Sequence, residues 1–175
     1  EGHFLAMPGT EMMFTGAHIN ALNARDYVKK TGNDPEHIQT WMDAIRETAT
    51  DEHPMALMLN HPAHIAKVQS RMPYFRSWWV ADRLDGIGMV ENFDFSAWFD
   101  RLNQGVRLPG LWTTDAHDVA FIPPGKKGSY VYVGDQLTEA GILKALAEGR
   151  VTNTRLPGTL LYVRANGAMI GETAA

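Results

Sequence analysis

The chain has 175 residues, 45% of them hydrophobic and 21% charged, with a formal net charge of -4 and no cysteine. Such a chain is long enough for one soluble domain with a sizeable core. The missing cysteines exclude disulfides, thiolate zinc sites and a cysteine nucleophile, and leave the redox compartment open. Basic residues occur as isolated pairs, Lys29-Lys30 and Lys126-Lys127, so no nucleic-acid footprint is present. The longest apolar runs, such as Met55 to Leu59, are too short to cross a bilayer.

In chain order, Met7-Pro8-Gly9 marks a turn. Glu11 to Phe14 and Ala17 to Leu22 are short, largely apolar runs joined around Thr15-Gly16, which predicts a hairpin. Asp34 is placed to cap a helix with Pro35 in its first turn, and Ile38, Trp41, Met42 and Ile45 recur at helical spacing. Met55 to Asn60 predicts a buried strand, ended by His61-Pro62. Ala63 to Leu84 reads as one or two helices. Asp85 to Glu91 predicts a strand, and Ser96 to Asn103 a helix stopped by Gly105.

Leu111 to Thr114 predicts a strand running into Asp115-Ala116-His117. Val119 to Gly128 is a Pro- and Gly-rich loop. Ser129 to Val133 alternates as a strand. Thr138 caps an amphipathic helix containing Ile142, Leu143, Leu146 and Ala147, and Gly149 ends it. After Arg150 the character changes to strand and turn, with Thr159 to Val163 and Ala168 to Gly171 flanking the hairpin signal Asn166-Gly167. Strand and helix alternate through the middle, which predicts an α/β fold, a parallel sheet or barrel of βα units. No internal repeat or low-complexity segment interrupts it. The first residue is Glu1, and the last stretch reads as a hairpin just opening, so both ends are expected to be cut from a longer protein.

Ligand-type side chains recur at the ends of these predicted strands, where βα folds build their sites. Asp115 and His117 are two apart, and in extended chain they project to the same side. His61 ends a buried strand, and Pro62 holds its backbone extended; the same position suits a packed core histidine. Glu11 and His18 come together only if the chain turns at Thr15-Gly16. One Glu, one Asp and three His suit zinc, manganese or iron. Such ions lower the pKa of bound water and supply hydroxide near neutral pH. His64 and Asp118 are candidates to support the ligands from behind, and Arg71 and Arg76 to hold an anionic substrate. His3, His37 and His53 lie outside the clusters, and His37 is expected to face solvent. No phosphate loop, dinucleotide fingerprint or serine nucleophile elbow is present.

Taken in order, Pro8-Gly9-Thr10-Glu11, Gly16-Ala17-His18-Ile19-Asn20, Asn60-His61-Pro62 and Thr114-Asp115-Ala116-His117 resemble the PHP family of metal-dependent hydrolases, most of all its carbamate-hydrolase-type (CehA/McbA-like) branch. Ser129 to Val133 and the helix from Thr138 through Gly149-Arg150-Val151 extend the resemblance over nearly the whole chain. It implies the C-terminal portion of a distorted seven-stranded β/α barrel over residues 1–155, followed by the start of a small β appendage over 156–175. It implies two or three divalent metal ions (Zn, Mn or Fe), with Glu11 bridging and His18, His61, Asp115 and His117 as further ligands. Glu11, Asp115 and His117 would carry the catalysis. The family's opening His-x-His and Asp-His pairs are absent and are expected before Glu1, so this stretch would need the N-terminal half of its own barrel to act. The implied reaction is hydrolysis of a small-molecule phosphoester, carbamate, ester or amide in bacterial cytoplasm or periplasm, with neither nucleic acid nor membrane as partner. A non-catalytic metal- or ligand-binding module on the same fold is the other reading, and an α/β domain with incidental histidines is the third.

Overall fold

The computed structural model describes residues 4–15, 17–60, 86–91, 95–118, 120, 128–135, 137–154, 156 and 158–174. The predicted helical stretch from Ala63 to Leu84, most of the Val119 to Gly128 loop, and the site candidates His61, His64, Arg71 and Arg76 lie outside the described residues.

β1 (Gly9–Met13) and β2 (His18–Leu22) form the expected hairpin, closed by a hydrogen bond from the Phe14 amide to the Ala17 carbonyl at 2.9 Å. Its register pairs Glu11 with Asn20 and Met13 with His18. The first helix, α1 (Pro35–Arg46), starts where Asp34 accepts from the His37 amide, and Pro35 takes the first turn, where its missing N–H costs nothing. Ile38, Trp41, Met42 and Ile45 fall on one face and are buried. Each contributes about 1.5–3 kcal/mol over an exposed side chain. Trp41 meets Phe14 edge-on at 5.5 Å between ring centroids and donates its indole N–H to the Val28 carbonyl at 2.8 Å, so the ring is buried with its polar atom satisfied.

β3 (Ala56–Asn60) returns beside β2, antiparallel, with Asn60 opposite His18. β4 (Met89–Glu91) and β5 (Gly110–Leu111) follow in parallel, α2 (Phe95–Asn103) crossing between them. The result is a five-stranded sheet in the order β1-β2-β3-β4-β5. The fold is therefore α/β with a mixed sheet, parallel on one side only. The departure from an all-parallel arrangement comes from the hairpin, whose short turn permits only antiparallel pairing. Among the described residues the sheet does not close into a barrel.

β6 (Gly128–Val131) pairs antiparallel with β7 (Val151–Thr154) in a separate two-stranded sheet. Between them α3 (Glu139–Ala147) is capped by Thr138, whose hydroxyl accepts from the Gly141 amide at 3.0 Å, and it ends before Gly149 at φ +70°. Its buried residues are Leu143, Ala145 and Leu146; Ala147, expected inside, is exposed. β8 (Arg164–Ala165) and β9 (Ala168–Met169) flank Asn166 and Gly167, both at positive φ as a two-residue hairpin turn requires.

Several predicted strands are shorter in the structure and one is absent. Among the described residues, the Asp85 to Glu91 strand has ladder partners from Met89 onward, and Leu111 to Thr114 has one at Leu111. Thr159 to Val163 is not a strand: Leu160, Leu161 and Tyr162 are all more than half exposed, so alternation there had no surface to pack on. No helix among the described residues is long and apolar enough to cross a membrane.

Candidate metal centre

The two faces of the sheet are distinct. Ile19, Ala21, Leu57, Leu59 and Val90 join α1 in one core cluster. Met58, Met89 and Leu111 join Leu143 and Leu146 of α3 in the other. Side chains alternate along a strand, so His18, Asn20, Asn60 and Glu91 share the second face with Met58 and Met89. Glu11 joins them, because its neighbour Met12 belongs to the first cluster. α3 covers the part of this face near the amino ends of β3 and β4, where Leu22 and Ala56 pack against it. At the carboxyl ends the face carries polar groups instead: His18, Asn60, Glu91, and the chain leaving β5 towards Asp115.

Glu11 and His18 are brought together. The His18 Nδ1 lies 3.3 Å from the Glu11 Oε1, and both side chains are half-buried. Two ligands each about 2.1 Å from one tetrahedral ion stand about 3.4 Å apart, so this pair has the separation that neighbouring zinc ligands need. Asn60 donates to the same Glu11 oxygen at 2.8 Å and is buried. Its Oδ1 has no hydrogen-bond partner among the described residues. Buried amide oxygens are almost always paired; among the described residues the Asn60 Oδ1, beside the Glu11–His18 pair, and the Asn23 Oδ1, near Glu139 and His53, are not.

Asp115 and His117 are also brought together, though not as extended chain. Asp115 has φ +48°, a left-handed conformation that folds the segment into a turn. His117 Nδ1 then lies 2.8 Å from the Asp115 carbonyl oxygen and 3.6 Å from its carboxylate. A ring N–H donated to the carbonyl leaves the Nε2 lone pair directed outward, which is how ligating histidines are commonly oriented. His117 is 83% exposed. Asp118 does not supply that orientation: its Oδ1 accepts from the Ala120 amide at 2.7 Å and shapes the next turn.

The Glu11–His18 pair and the Asp115–His117 pair do not merge: among the described residues no three His, Asp or Glu side chains lie close enough to hold one ion. His61, the residue after Asn60, lies outside the described residues.

The groups that sequence reasoning missed are Asn60, Glu91 and Thr113. Glu91 is 1% exposed at the end of β4 and accepts a hydrogen bond from the Thr113 hydroxyl. The signal was present: Glu91 ends an apolar strand as Asn60 does, two residues after a core methionine. Beside the Glu11 pair, a cavity of about 230 Å³ runs along the second face past Gly9, Asn20 and Leu22. His37 pairs with Asp34 at 2.7 Å in the first turn of α1 and is half-exposed. No protein-family profile, curated protein or solved structure matches this chain.

Proposed function

We propose that this chain is part of a metal-dependent hydrolase, with residues 1–155 belonging to a PHP-type barrel, 156–175 beginning a β appendage, and Glu11, His18, His61, Asp115 and His117 as its contribution to a cluster of two or three divalent ions. The observation that carries this reading is the Glu11–His18 pair, 3.3 Å apart, on the same face and edge of the sheet as the orphaned Asn60 oxygen. Bound transition-metal ions there supply Lewis acidity and a water of lowered pKa. The Glu11 and Asp115 carboxylates balance the cationic charge. Asn60 holds the Glu11 oxygen in place. The outward Nε2 of His117 meets ligand or solvent. The cavity beside Glu11 has room for a small ester, carbamate or phosphoester.

A second reading is favoured by a specific observation. The two donor pairs do not converge on three ligands among the described residues, which suits a module that binds metal or ligand without turnover. One experiment separates the two. Full-length protein purified without chelators is assayed for metal by mass spectrometry, and then for hydrolysis of a phosphodiester, a phosphomonoester and an aryl carbamate. Bound Zn, Mn or Fe with turnover of at least one substrate supports the hydrolase. Bound metal without turnover supports a metal-binding module, and no metal even after soaking removes the hydrolase and leaves only a module that binds another ligand.

A further inference from the structure

The segment carrying Asp115 and His117 leaves the sheet early. Among the described residues β5 pairs with β4 at Gly110 and Leu111, and no ladder partner is found for Trp112 onward. Side chains replace the ladder. Asn153 of β7 donates its Nδ2 to the Gly110 carbonyl at 2.8 Å, and its Oδ1 accepts from the Trp112 amide at 3.1 Å. These are the two bonds that one residue of a parallel neighbour strand would make around Leu111. One side-chain amide thus stands in for a missing strand residue on the free edge of β5. Ser129 sits directly opposite Asn153 in the β6–β7 register. Its hydroxyl donates to Asn153 Oδ1 at 2.7 Å and accepts from the Trp112 amide at 2.8 Å, which locks the amide's orientation. From the other side, the Thr113 hydroxyl donates to the buried carboxylate of Glu91. Two residues further on comes Asp115 at φ +48°, a conformation that persists only when its surroundings impose it.

We infer that Asn153 and Glu91 are positioning residues, which clamp Trp112 and Thr113 from opposite sides so that the Asp115 turn forms and aims His117. The inference rests on the reading of Asp115 and His117 as ligands only for its consequence, not for its geometry. The pairing of Asn153 with Ser129 gives the β6–β7 sheet a role in the site, although neither strand carries a ligand.

The test uses full-length protein carrying Asn153→Leu, which removes the amide at similar volume, or Thr113→Val, which removes the hydroxyl at constant shape. Nitrogen-15 shifts of the His117 ring, assigned with His117→Gln, are read in metal-free protein at one fixed pH. Zn²⁺ affinity is measured alongside. The wild type is expected to hold the tautomer with hydrogen on Nδ1. Both variants are expected to lose it, with Zn²⁺ binding weakened about tenfold or more, while Thr113→Ser restores both. Folded variants that keep the wild-type ring spectrum overturn the inference. If Asn153→Leu does not fold, Thr113→Val against Thr113→Ser decides alone. A wild type that binds no Zn²⁺ while its ring signal still responds to Thr113→Val leaves the clamp standing and sinks the metal reading.

Discussion

At the amino edge of the sheet Asn23, Arg25, His53 and Glu139 form one linked network, whereas at the carboxyl edge Glu11, His18 and Asn60 form one group and Asp115 and His117 another. Asn23 follows β2 at φ +64° and is 1% exposed. Its amide donates to the Pro54 carbonyl at 2.8 Å and to Glu139 at 3.1 Å. Arg25 adds a 2.6 Å bond to the other Glu139 oxygen, and His53 stands 3.5 Å away. This network ties the loops before α1 and β3 to the first turn of α3, and so seats the helix that covers the second face. Both edges hold a left-handed residue and an amide oxygen without a hydrogen-bond partner among the described residues, Asn23 with its own Oδ1 at one and Asp115 with the Asn60 Oδ1 at the other; what differs is that the carboxyl edge presents a histidine, His117, to solvent beside a carboxylate. A carboxylate with both oxygens bonded by neighbouring side chains ties loops to a helix, whereas an exposed imidazole oriented through one ring nitrogen is suited to a ligand.

The comparison breaks most visibly if function moves with the wrong edge. Asp115→Ala or His117→Ala in the full-length protein is expected to lower hydrolysis by more than about a hundredfold, beyond what loss of supporting residues alone produces. Thermal melting should hardly change for His117→Ala, whose side chain is exposed, whereas Asp115→Ala puts alanine at positive φ and is expected to cost about 1 kcal/mol. Activity close to wild type would remove these residues from the site.

Asn23→Ala is the reverse case. It gives up two hydrogen bonds, one to a carboxylate, and places alanine at positive φ, so stability in denaturant titration is expected to fall by about 2–3 kcal/mol. Hydrolysis per folded molecule should be unaltered. A drop in turnover without a drop in stability would mean that the amino edge takes part in the chemistry.

pH sharpens the same contrast. The hydrogen bonds from Arg25 and Asn23 to Glu139 hold its carboxyl below the ordinary glutamate range. A depressed folded pKa means that the unfolded chain takes up its proton first as pH falls. The stabilisation is therefore complete above the ordinary glutamate value and fades as pH drops through the lower folded one. Melting temperature followed downward from neutral pH should show this decline, and Glu139→Gln should flatten it. An unchanged profile in that variant would place the acid sensitivity elsewhere.

The smallest effect belongs to His37, half-exposed and paired only with its own helix cap. His37→Ala should leave hydrolysis unaltered and shift stability by no more than about 0.5 kcal/mol, as for other surface substitutions. A larger loss of activity would show that the first turn of α1 contributes.

Much of the fold was legible because its signals are local. Asp34 with Pro35 and Thr138 with Gly149 bracket two helices through caps that involve neighbours three or four residues away. Asn166-Gly167 places a hairpin turn because few other residue pairs accept both left-handed conformations. The approach of the Glu11 and His18 side chains was also foreseeable, once a turn at Thr15-Gly16 was granted. What escaped were strand lengths and the groups that act at long range. Leu111 to Thr114 has the pattern of a strand, but the neighbour that would extend it is a side-chain amide more than forty residues away, with a sequence separation of 43 between Asn153 and Gly110.

Where the chain turns, which helix faces are apolar and which residue types are available to bind a metal follow from local pattern, because caps, periodicity and side-chain chemistry are properties of neighbours. Only the tertiary structure decided that Glu11, His18, Asn60 and Glu91 share one face and one edge of the sheet. Only it turned Asp115 left-handed, and only it made Glu139 a structural hub. Those outcomes depend on strand register and on which distant group reaches a given backbone atom, and no local pattern in the chain encodes either.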